Sequence, residues 1–311
     1  MRQRLAAIVG PTAAGKTSVA IRVAQLLNGE IISCDSMQIY RGMDIGTAKA
    51  SLEEQQQVKH HMLDIVNPDE DYSVARYQEE CKTIISRLNQ EGKLPILVGG
   101  TGLYYQAVVD DYVFEPMESR YAVRDKWNQI IDQRGLDYGY RYLQSVDPEY
   151  ARKVSSNDRK RIVRALEVWE ITGQPFSRSQ VRRQSAYNLA AAGLYLQRSR
   201  LYARIDQRAE EMISRGFIEE VEGLLGRGYD PSLNSMQALG YRQAAAYLQG
   251  LITREEMIKD MQKETRRYAK RQFTWFNRDQ RICWFDQEEY ADEMARAEKI
   301  SRWMEGQFSE A

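Results

Sequence analysis

Cysteine and histidine, the residues that form disulfides and most zinc sites, are scarce in this chain of 311 residues. Its three cysteines, Cys34, Cys81 and Cys283, lie far apart without a C-x-x-C pair, so we expect neither a disulfide framework nor a structural zinc site. The only two histidines, His60 and His61, are adjacent in the sequence. Because side chains at neighbouring positions diverge, this pair is a poor candidate for a shared metal ion.

The sequence also lacks a long apolar segment and an excess of charge of either sign. No stretch approaches about 18 uncharged apolar residues, and the N-terminus leads directly into a strand-like run. We therefore expect no membrane span and no signal peptide, and a cytoplasmic location. The 44 basic and 44 acidic residues balance, which does not by itself suggest a nucleic-acid partner, and 43% hydrophobic content is ample for a folded core.

Residues 10–17, GPTAAGKT, have the spacing of a phosphate-binding loop, G-x-x-x-x-G-K-[ST]. An apolar run before this segment predicts a buried strand, and helical apolar spacing after it predicts an amphipathic helix, which is the context that the motif requires. The two glycines allow backbone angles that point successive N–H groups into one concavity at the positive end of a helix. The predicted phosphate-binding residues are Gly10, Pro11, Thr12, Ala13, Ala14, Gly15, Lys16 and Thr17, with Lys16 on phosphate oxygens and the Thr17 hydroxyl on Mg²⁺.

The order of strand-like and helical patterns predicts an α/β fold. Strand-like runs at 5–9, 30–34 and 94–98 alternate with helical stretches, which indicates a parallel sheet covered by helices on both faces. From about residue 113 charged, tyrosine-rich helical patterns replace the strands. We expect a P-loop NTPase-like sheet with an inserted all-helical domain, divided into 1–112 for the first part of the core, 113–195 for the insertion and 196–311 for the rest of the core.

Positive charge is concentrated in two segments of the chain. Residues 152–183 contain nine lysines and arginines against three acidic residues, and residues 263–281 contain seven against two, with aromatic residues interleaved. Segments of this kind can hold a phosphate backbone and stack on splayed bases. A solvated helix face explains the charge equally well, so both interpretations stay open from charge alone.

Polar residues follow two of the predicted strands at the point where each strand ends. The segment ISCDSMQIYRGMDIGTAK includes the end of the second strand, and VGGTGLYYQAVV includes the end of the third. Ligands of open α/β sheets bind at the carboxyl ends of the strands. We therefore expect Asp35, Ser36, Gln38 and Thr101 to gather around the phosphate loop.

Five segments, in this order and spacing, closely resemble the bacterial tRNA dimethylallyltransferase family over nearly the whole chain: GPTAAGKT, DSMQIYRGMDIGTAK, VGGTGLY, KRIVRALEVWEITGQPFS and YAKRQFTWF. The second segment is far more specific than the phosphate loop. Ala14 stands where serine is common in the family and Ala50 where proline often follows TAK. Neither departure removes a reacting group, and from the three cysteines we expect no zinc-finger extension like that of eukaryotic relatives.

The resemblance implies transfer of the dimethylallyl group from dimethylallyl diphosphate to the exocyclic N6 of the adenine 3′-adjacent to the anticodon, in tRNAs that read codons beginning with U. It implies Asp35 as general base, with Lys16, Thr101 and an arginine, for which we choose Arg208, on the diphosphate. The implied tRNA-binding residues are Asp35, Ser36, Met37, Gln38, Thr101, Arg124, Arg159, Lys160, Arg161, Ile162 and Val163. A monomer with Mg²⁺ is expected, and its partners are the anticodon stem-loop and dimethylallyl diphosphate.

Other interpretations of these residues stay open. Asp35 and Thr101 could each be only a helix cap, Arg208 a surface ion pair, and Gln38 a brace of its own loop instead of a contact to the adenine edge. A phosphate-loop kinase of a nucleoside or small metabolite would share the loop and a base such as Asp35, but it would not need the basic segments or the insertion. A nucleotide-triggered binding protein would need a switch segment, for which the sequence offers no convincing candidate.

Overall fold

A computed structural model describes residues 2–114, 120–179 and 186–309. The chain divides into two compact units: unit 1 contains Met1–Val109 and Ser185–Ala311, and unit 2 contains Asp110–Gln184. The insertion expected at 113–195 extends beyond unit 2, because residues 188–195 form a strand in the sheet of unit 1.

Unit 1 is built on a six-stranded sheet in which every neighbouring pair is parallel. Its strands are β1 Arg4–Val9, β2 Gly29–Cys34, β3 His60–His61, β4 Leu94–Gly99, β5 Asn188–Tyr195 and β6 Ile282–Asp286. They lie in the order β3-β2-β4-β1-β5-β6. The predicted parallel α/β fold is confirmed, although the two residues of β3 are too few for a sequence pattern to predict.

Helices cover both faces of this sheet. The helices of the chain are α1 Lys16–Leu26, α2 Leu52–Gln57, α3 Val74–Gln90, α4 Gly102–Val109, α5 Arg120–Arg134, α6 Leu136–Val146, α7 Pro148–Ala151, α8 Arg159–Thr172, α9 Phe176–Ser179, α10 Arg198–Ser214, α11 Phe217–Gly226, α12 Tyr241–Leu248, α13 Arg254–Phe276 and α14 Glu293–Ser309. Side chains of β1 alternate between the faces: Ala6 and Ile8 pack with α1 and α14, while Leu5, Ala7 and Val9 pack with α3 and α4. Among the described residues, no helix is long and apolar enough to cross a membrane.

The regular elements in the described part of unit 2 are the helices α5 to α9, as the sequence predicts. Its own apolar core includes Trp127 from α5, Leu143 from α6 and Leu166 from α8. The start of α8 is capped by the Asp158 side chain, which accepts a hydrogen bond from the Arg161 N–H. This core and these caps give the insertion the features of a folding unit of its own.

Candidate active site

The loop between β1 and α1 has the backbone shape that phosphate binding requires. Gly10 has a φ of 145° and Gly15 a φ of 68°, both in the region that favours glycine, and α1 begins directly after Gly15. A Cβ atom on Gly10 would lie 2.8 Å from the Leu194 carbonyl oxygen of β5, so the loop lies close against the sheet. The positive end of α1 therefore lies at the carboxyl end of β1.

Two cations at this loop lack carboxylate partners. Lys16 is partly exposed, and its Nζ donates a hydrogen bond of 2.8 Å to the Pro11 carbonyl oxygen. The pKa of Lys16 is lowered to about 8, chiefly by burial and then by the charge of Arg208. Within the described part of the chain neither Lys16 nor Arg208 forms a salt bridge. An anion bound at this loop would therefore be attracted by the positive charges of both Lys16 and Arg208.

The register of β2 and β4 brings Asp35 and Thr101 together. Cys34 pairs with Gly99, and the Thr101 N–H donates to the Cys34 carbonyl oxygen at 3.1 Å. A Cβ atom on Gly99 would overlap that carbonyl group, so the close approach of the two strand ends requires glycine. The Thr101 hydroxyl accepts a hydrogen bond from the Ser36 N–H at 3.1 Å. Its side chain thus joins the two strand ends, which disfavours the alternative of a helix cap.

Asp35 directly follows β2, and its Oδ1 accepts the Met37 N–H at 2.9 Å. Burial raises the pKa of this carboxyl group, although the Met37 N–H, Lys16 and Arg208 act in the opposite direction. A carboxylate with a raised pKa is a stronger base than an exposed aspartate. The environment of Asp35 therefore suits a general base better than a structural turn residue alone.

Gln38 has both ends of its side-chain amide engaged by the protein. Its Oε1 accepts from the Ser33 hydroxyl at 2.8 Å, and its Nε2 donates to the carbonyl oxygens of Thr47 and Ala48, each at 3.2 Å. These bonds use the donors and acceptor with which Gln38 was expected to read the adenine edge. The geometry favours the alternative in which Gln38 braces the loop that follows it.

A cavity of about 840 Å³ lies between the phosphate loop and the end of β2, and residues of both line it. It is lined by Lys16 and Thr17 from the loop, by Asp35, and by Arg208 from α10. The α10 residues Arg204, Gln207, Arg208 and Glu211 line it because their spacing puts them on one helix face, and Arg215, directly after the helix, lines it too. Thr101 is not among the lining residues, so the geometry offers no support for its expected diphosphate contact and gives it a positioning part through Ser36.

Two buried glutamines hold the phosphate loop from the C-terminal part of the chain. Gln272 of α13 accepts the Thr12 N–H at 2.8 Å and donates to the Gly100 carbonyl oxygen at 2.9 Å. Gln287 donates to the Ala14 carbonyl oxygen at 2.5 Å. Neither glutamine was expected at the site from the sequence. Gln272 lies inside YAKRQFTWF, where the surrounding positive charge drew attention to RNA binding, and Gln287 lies in no recognisable motif.

The basic residues of unit 2 are largely paired with acidic residues. Glu167 is fully buried and accepts from Arg124 and Arg164, and Arg159 pairs with Asp132 at 2.5 Å. Lys160 is exposed. Arg182 and Arg183, two of the nine basic residues of the segment 152–183, lie outside the described residues.

Two expected tRNA contacts in α8 need correction. Ile162 is 0% exposed and Val163 is 4% exposed, and both pack in the apolar core of unit 2. Their side chains cannot reach a ligand without unfolding the helix, so we assign them to the core. The exposed Lys160 and Arg161 precede them on the same helix and are better placed to meet RNA phosphates.

Comparison with known proteins identifies the family. The family model described as IPP transferase matches residues 38–279. The chain belongs to the IPP transferase family. It is 59% identical to the tRNA dimethylallyltransferase of Syntrophomonas wolfei, covering 98% of both chains, and 49% identical to that of Heliobacterium modesticaldum, covering 97% of this chain and 92% of the relative.

Solved structures agree with this assignment. The full-length tRNA isopentenylpyrophosphate transferase from Bacillus halodurans superposes with a TM-score of 0.75 at 39% identity, covering 99% of this chain and 98% of that one. A eukaryotic dimethylallyltransferase acting on tRNA gives a TM-score of 0.78 at 28% identity over 96% of this chain and 78% of the other. The resemblance drawn from the five sequence segments is confirmed.

This IPP transferase anchors the wall of its cavity with a carboxylate from a distant helix. Glu220 of α11 accepts the backbone N–H groups of Asp44, Ile45 and Gly46 at 2.9, 2.7 and 3.3 Å, and also the Tyr241 hydroxyl at 2.6 Å. The segment fixed in this way continues into Thr47 and Ala48, whose carbonyl oxygens hold Gln38. Glu220, like Gln272 and Gln287, was not expected at the site, because a single glutamate in an amphipathic helix gives no signal.

The donor set of the IPP transferase cavity suits a magnesium ion shared with a substrate. Among the described residues no group of three or more His, Cys, Asp and Glu side chains could hold a metal ion. Mg²⁺ prefers oxygen ligands and is often held by one or two protein groups together with substrate phosphates and water. Thr17 and Asp35 line the same cavity and carry oxygens of this kind.

Proposed function

We propose that this IPP transferase transfers the dimethylallyl group from dimethylallyl diphosphate to N6 of the adenine 3′-adjacent to the anticodon, in tRNAs that read codons beginning with U, and releases diphosphate. The observation that carries the proposal is the cavity in which the phosphate loop, Arg208 and Asp35 meet. The names of its relatives, tRNA dimethylallyltransferases that align over nearly the whole chain, support the same activity.

The phosphate loop and Arg208 bind the leaving group. As the bond between the allylic carbon and the diphosphate oxygen breaks, negative charge grows on the diphosphate. The loop N–H groups, Lys16 and the Arg208 guanidinium stabilise this charge more strongly in the transition state than in the substrate. Thr17 would hold Mg²⁺, which supplies further positive charge to the diphosphate when bound.

Asp35 accepts the proton that N6 loses. The lone pair of the exocyclic amine is delocalised into the adenine ring, so the amine is a weak nucleophile and gains from a base that removes its proton as the new carbon–nitrogen bond forms. The raised pKa of Asp35 makes its carboxylate a competent acceptor. Ser36 and Met37, which follow Asp35, line a neighbouring cavity and would contact the tRNA.

The insertion provides the contact to the anticodon stem-loop. Arg124, Arg159, Lys160 and Arg161 carry positive charge on its helices α5 and α8, where they can meet phosphates. The buried Glu167 holds Arg124 in place, while 40% of the Arg124 side chain stays exposed and accessible to a phosphate. We propose that the enzyme acts as a monomer in the cytoplasm.

One incubation tests the proposed function. An unmodified anticodon stem-loop is mixed with the enzyme, dimethylallyl diphosphate and Mg²⁺, and the RNA mass is measured. We expect one dimethylallyl group in place of one hydrogen, located on the adenine 3′ to the anticodon, and no product when ATP replaces the prenyl donor. An unchanged RNA mass with donor and Mg²⁺ at saturation would refute the proposal.

A further inference from the structure

A second cavity lies on the other side of the segment that contains Asp35. Its volume is about 410 Å³, which is within the range of small-molecule sites. Asp35 and Gln38 line the first cavity, whereas Ser36 and Met37, between them in the sequence, line the second. The two cavities have no lining residue in common. This short segment therefore separates two sites that both lie within unit 1.

Two tyrosine hydroxyls in the second cavity have no hydrogen-bond partner in the described part of the protein. Tyr40 is 5% exposed and Tyr104 is 6% exposed, and both line the cavity. The Tyr104 ring is stacked on Tyr77 with ring centroids 4.1 Å apart, which fixes its position. Tyr72, a third lining tyrosine, donates its hydroxyl to Glu80 instead. Because neither hydroxyl is bonded to another described residue, both can form a hydrogen bond with a ligand that fills the cavity.

The charge of the second cavity disfavours an anion such as diphosphate and favours a group that donates hydrogen bonds. Asp69, Glu70 and Asp71 line it, and none of its described lining residues is a lysine or arginine. A diphosphate would be repelled here and attracted to Lys16 and Arg208 in the first cavity. A flat, uncharged ring with an amino donor and a ring-nitrogen acceptor matches the carboxylates and the tyrosine hydroxyls.

We propose that the second cavity holds the nucleobase on the 5′ side of the acceptor adenine, and that Tyr40 and Tyr104 determine which base is accepted there. The inference rests on the proposed function. In a tRNA that reads a codon beginning with U, the base 5′ to the acceptor pairs with that U and is itself adenine. Adenine carries the amino group and ring nitrogens that this cavity can bind, whereas uracil has no amino group.

The test compares anticodon stem-loops that carry adenine or uracil at this neighbouring position. The ratio of their kcat/KM values is measured for the wild type and for Tyr40→Phe and Tyr104→Phe, at saturating dimethylallyl diphosphate. Tyr247→Phe is the matched control, because Tyr247 lies in α12 of the same unit and lines neither cavity. Thermal unfolding of each variant verifies that it is folded.

We expect each cavity variant to lower kcat/KM for the adenine stem-loop about three- to tenfold, the effect of one hydrogen bond, and so to narrow the preference over uracil. The control should keep the wild-type ratio. A ratio that stays at the wild-type value in both Tyr40→Phe and Tyr104→Phe overturns the inference. Failure of the wild type to modify either stem-loop overturns the proposed function instead, so the two failures are distinguishable.

Discussion

Replacement of Gln272 by methionine should show that this side chain positions the phosphate loop for catalysis in addition to stabilising the fold. The side chain is 5% exposed and makes two hydrogen bonds, to the Thr12 N–H and to the Gly100 carbonyl oxygen. Methionine has a similar volume but offers neither partner. Each buried group left unsatisfied costs about 1 to 3 kcal/mol, so for the two groups we expect the free energy of unfolding to fall by about 2 to 6 kcal/mol.

The effect on catalysis should exceed what lost stability explains. Gln272 joins the phosphate loop to the loop that follows β4, so its loss lets the diphosphate-binding groups shift relative to Asp35. A displacement of about 1 Å in a site of this kind can cost on the order of 100-fold in rate. We therefore expect kcat to fall between about tenfold and 100-fold in single-turnover assays well below the melting temperature, with tRNA affinity changed less than about twofold.

Gln243→Met provides the matched control for this experiment. Gln243 is 3% exposed, lies in α12 and accepts the Gly240 N–H at 3.0 Å, away from both cavities. It should lose stability without loss of rate. Gly100→Ala should reproduce the defect of Gln272→Met, because a Cβ atom there would overlap the Gln272 amide nitrogen. If Gln272→Met melts earlier but keeps kcat and both KM values within threefold of wild type, the positioning argument is wrong.

Four further outcomes follow from the site. Asp35→Asn should keep tRNA affinity but lose about 100-fold or more in the single-turnover rate, and a rate within threefold of wild type would exclude Asp35 as the base. Because the pKa of Lys16 is about 8 and only its charged form attracts diphosphate, kcat/KM for the prenyl donor should fall as pH rises through that value, and Lys16→Arg should move this fall to higher pH; an unmoved limb would contradict the assignment. Glu220→Gln should lower the melting temperature and raise the KM for both substrates, since an amide cannot accept all four hydrogen bonds of the carboxylate, and unchanged values of both would refute its role as an anchor. Lys160→Ala combined with Arg161→Ala should weaken tRNA binding and reduce its logarithmic salt slope by roughly one to two, with donor affinity unchanged, whereas an unaltered slope would make them a solvated helix face.

The sequence was sufficient to predict three of the six strands and the phosphate loop, because both depend on local patterns. The strands expected at 5–9, 30–34 and 94–98 are observed within one residue, and the glycines of the phosphate loop have the expected backbone angles. Helical spacing from Val19 predicts that Leu26 faces the core, yet Leu26 is 46% exposed. It is the last residue of α1, where helical periodicity no longer guarantees a packing partner.

The contacts that hold the site together could not be predicted, because they join residues far apart in the chain. Gln38 was expected to bind adenine, but its amide nitrogen donates to two backbone carbonyl oxygens. Every residue type carries a backbone carbonyl group, so the sequence does not indicate these partners. Gln272 meets Thr12 across 260 positions and Glu220 meets Asp44 across 176. Nothing in one sequence links such pairs. The backbone shape of the phosphate loop could be predicted from its motif, whereas the contacts that support the loop could not.

The position of β1 in the middle of the sheet has a consequence for how this protein is made. Its neighbour β4 ends at Gly99, but its other neighbour, β5, begins at Asn188, after the whole insertion. On the ribosome the four strands β3-β2-β4-β1 can pair early, and the edge formed by β1 stays open until β5 and β6 emerge. The Ala14 carbonyl of the phosphate loop receives its bond from Gln287 only when the last part of the chain has been synthesised. A nascent chain therefore carries the complete phosphate-binding sequence long before it has a finished phosphate site, and the exposed edge of β1 is the surface that a chaperone would need to protect in the meantime.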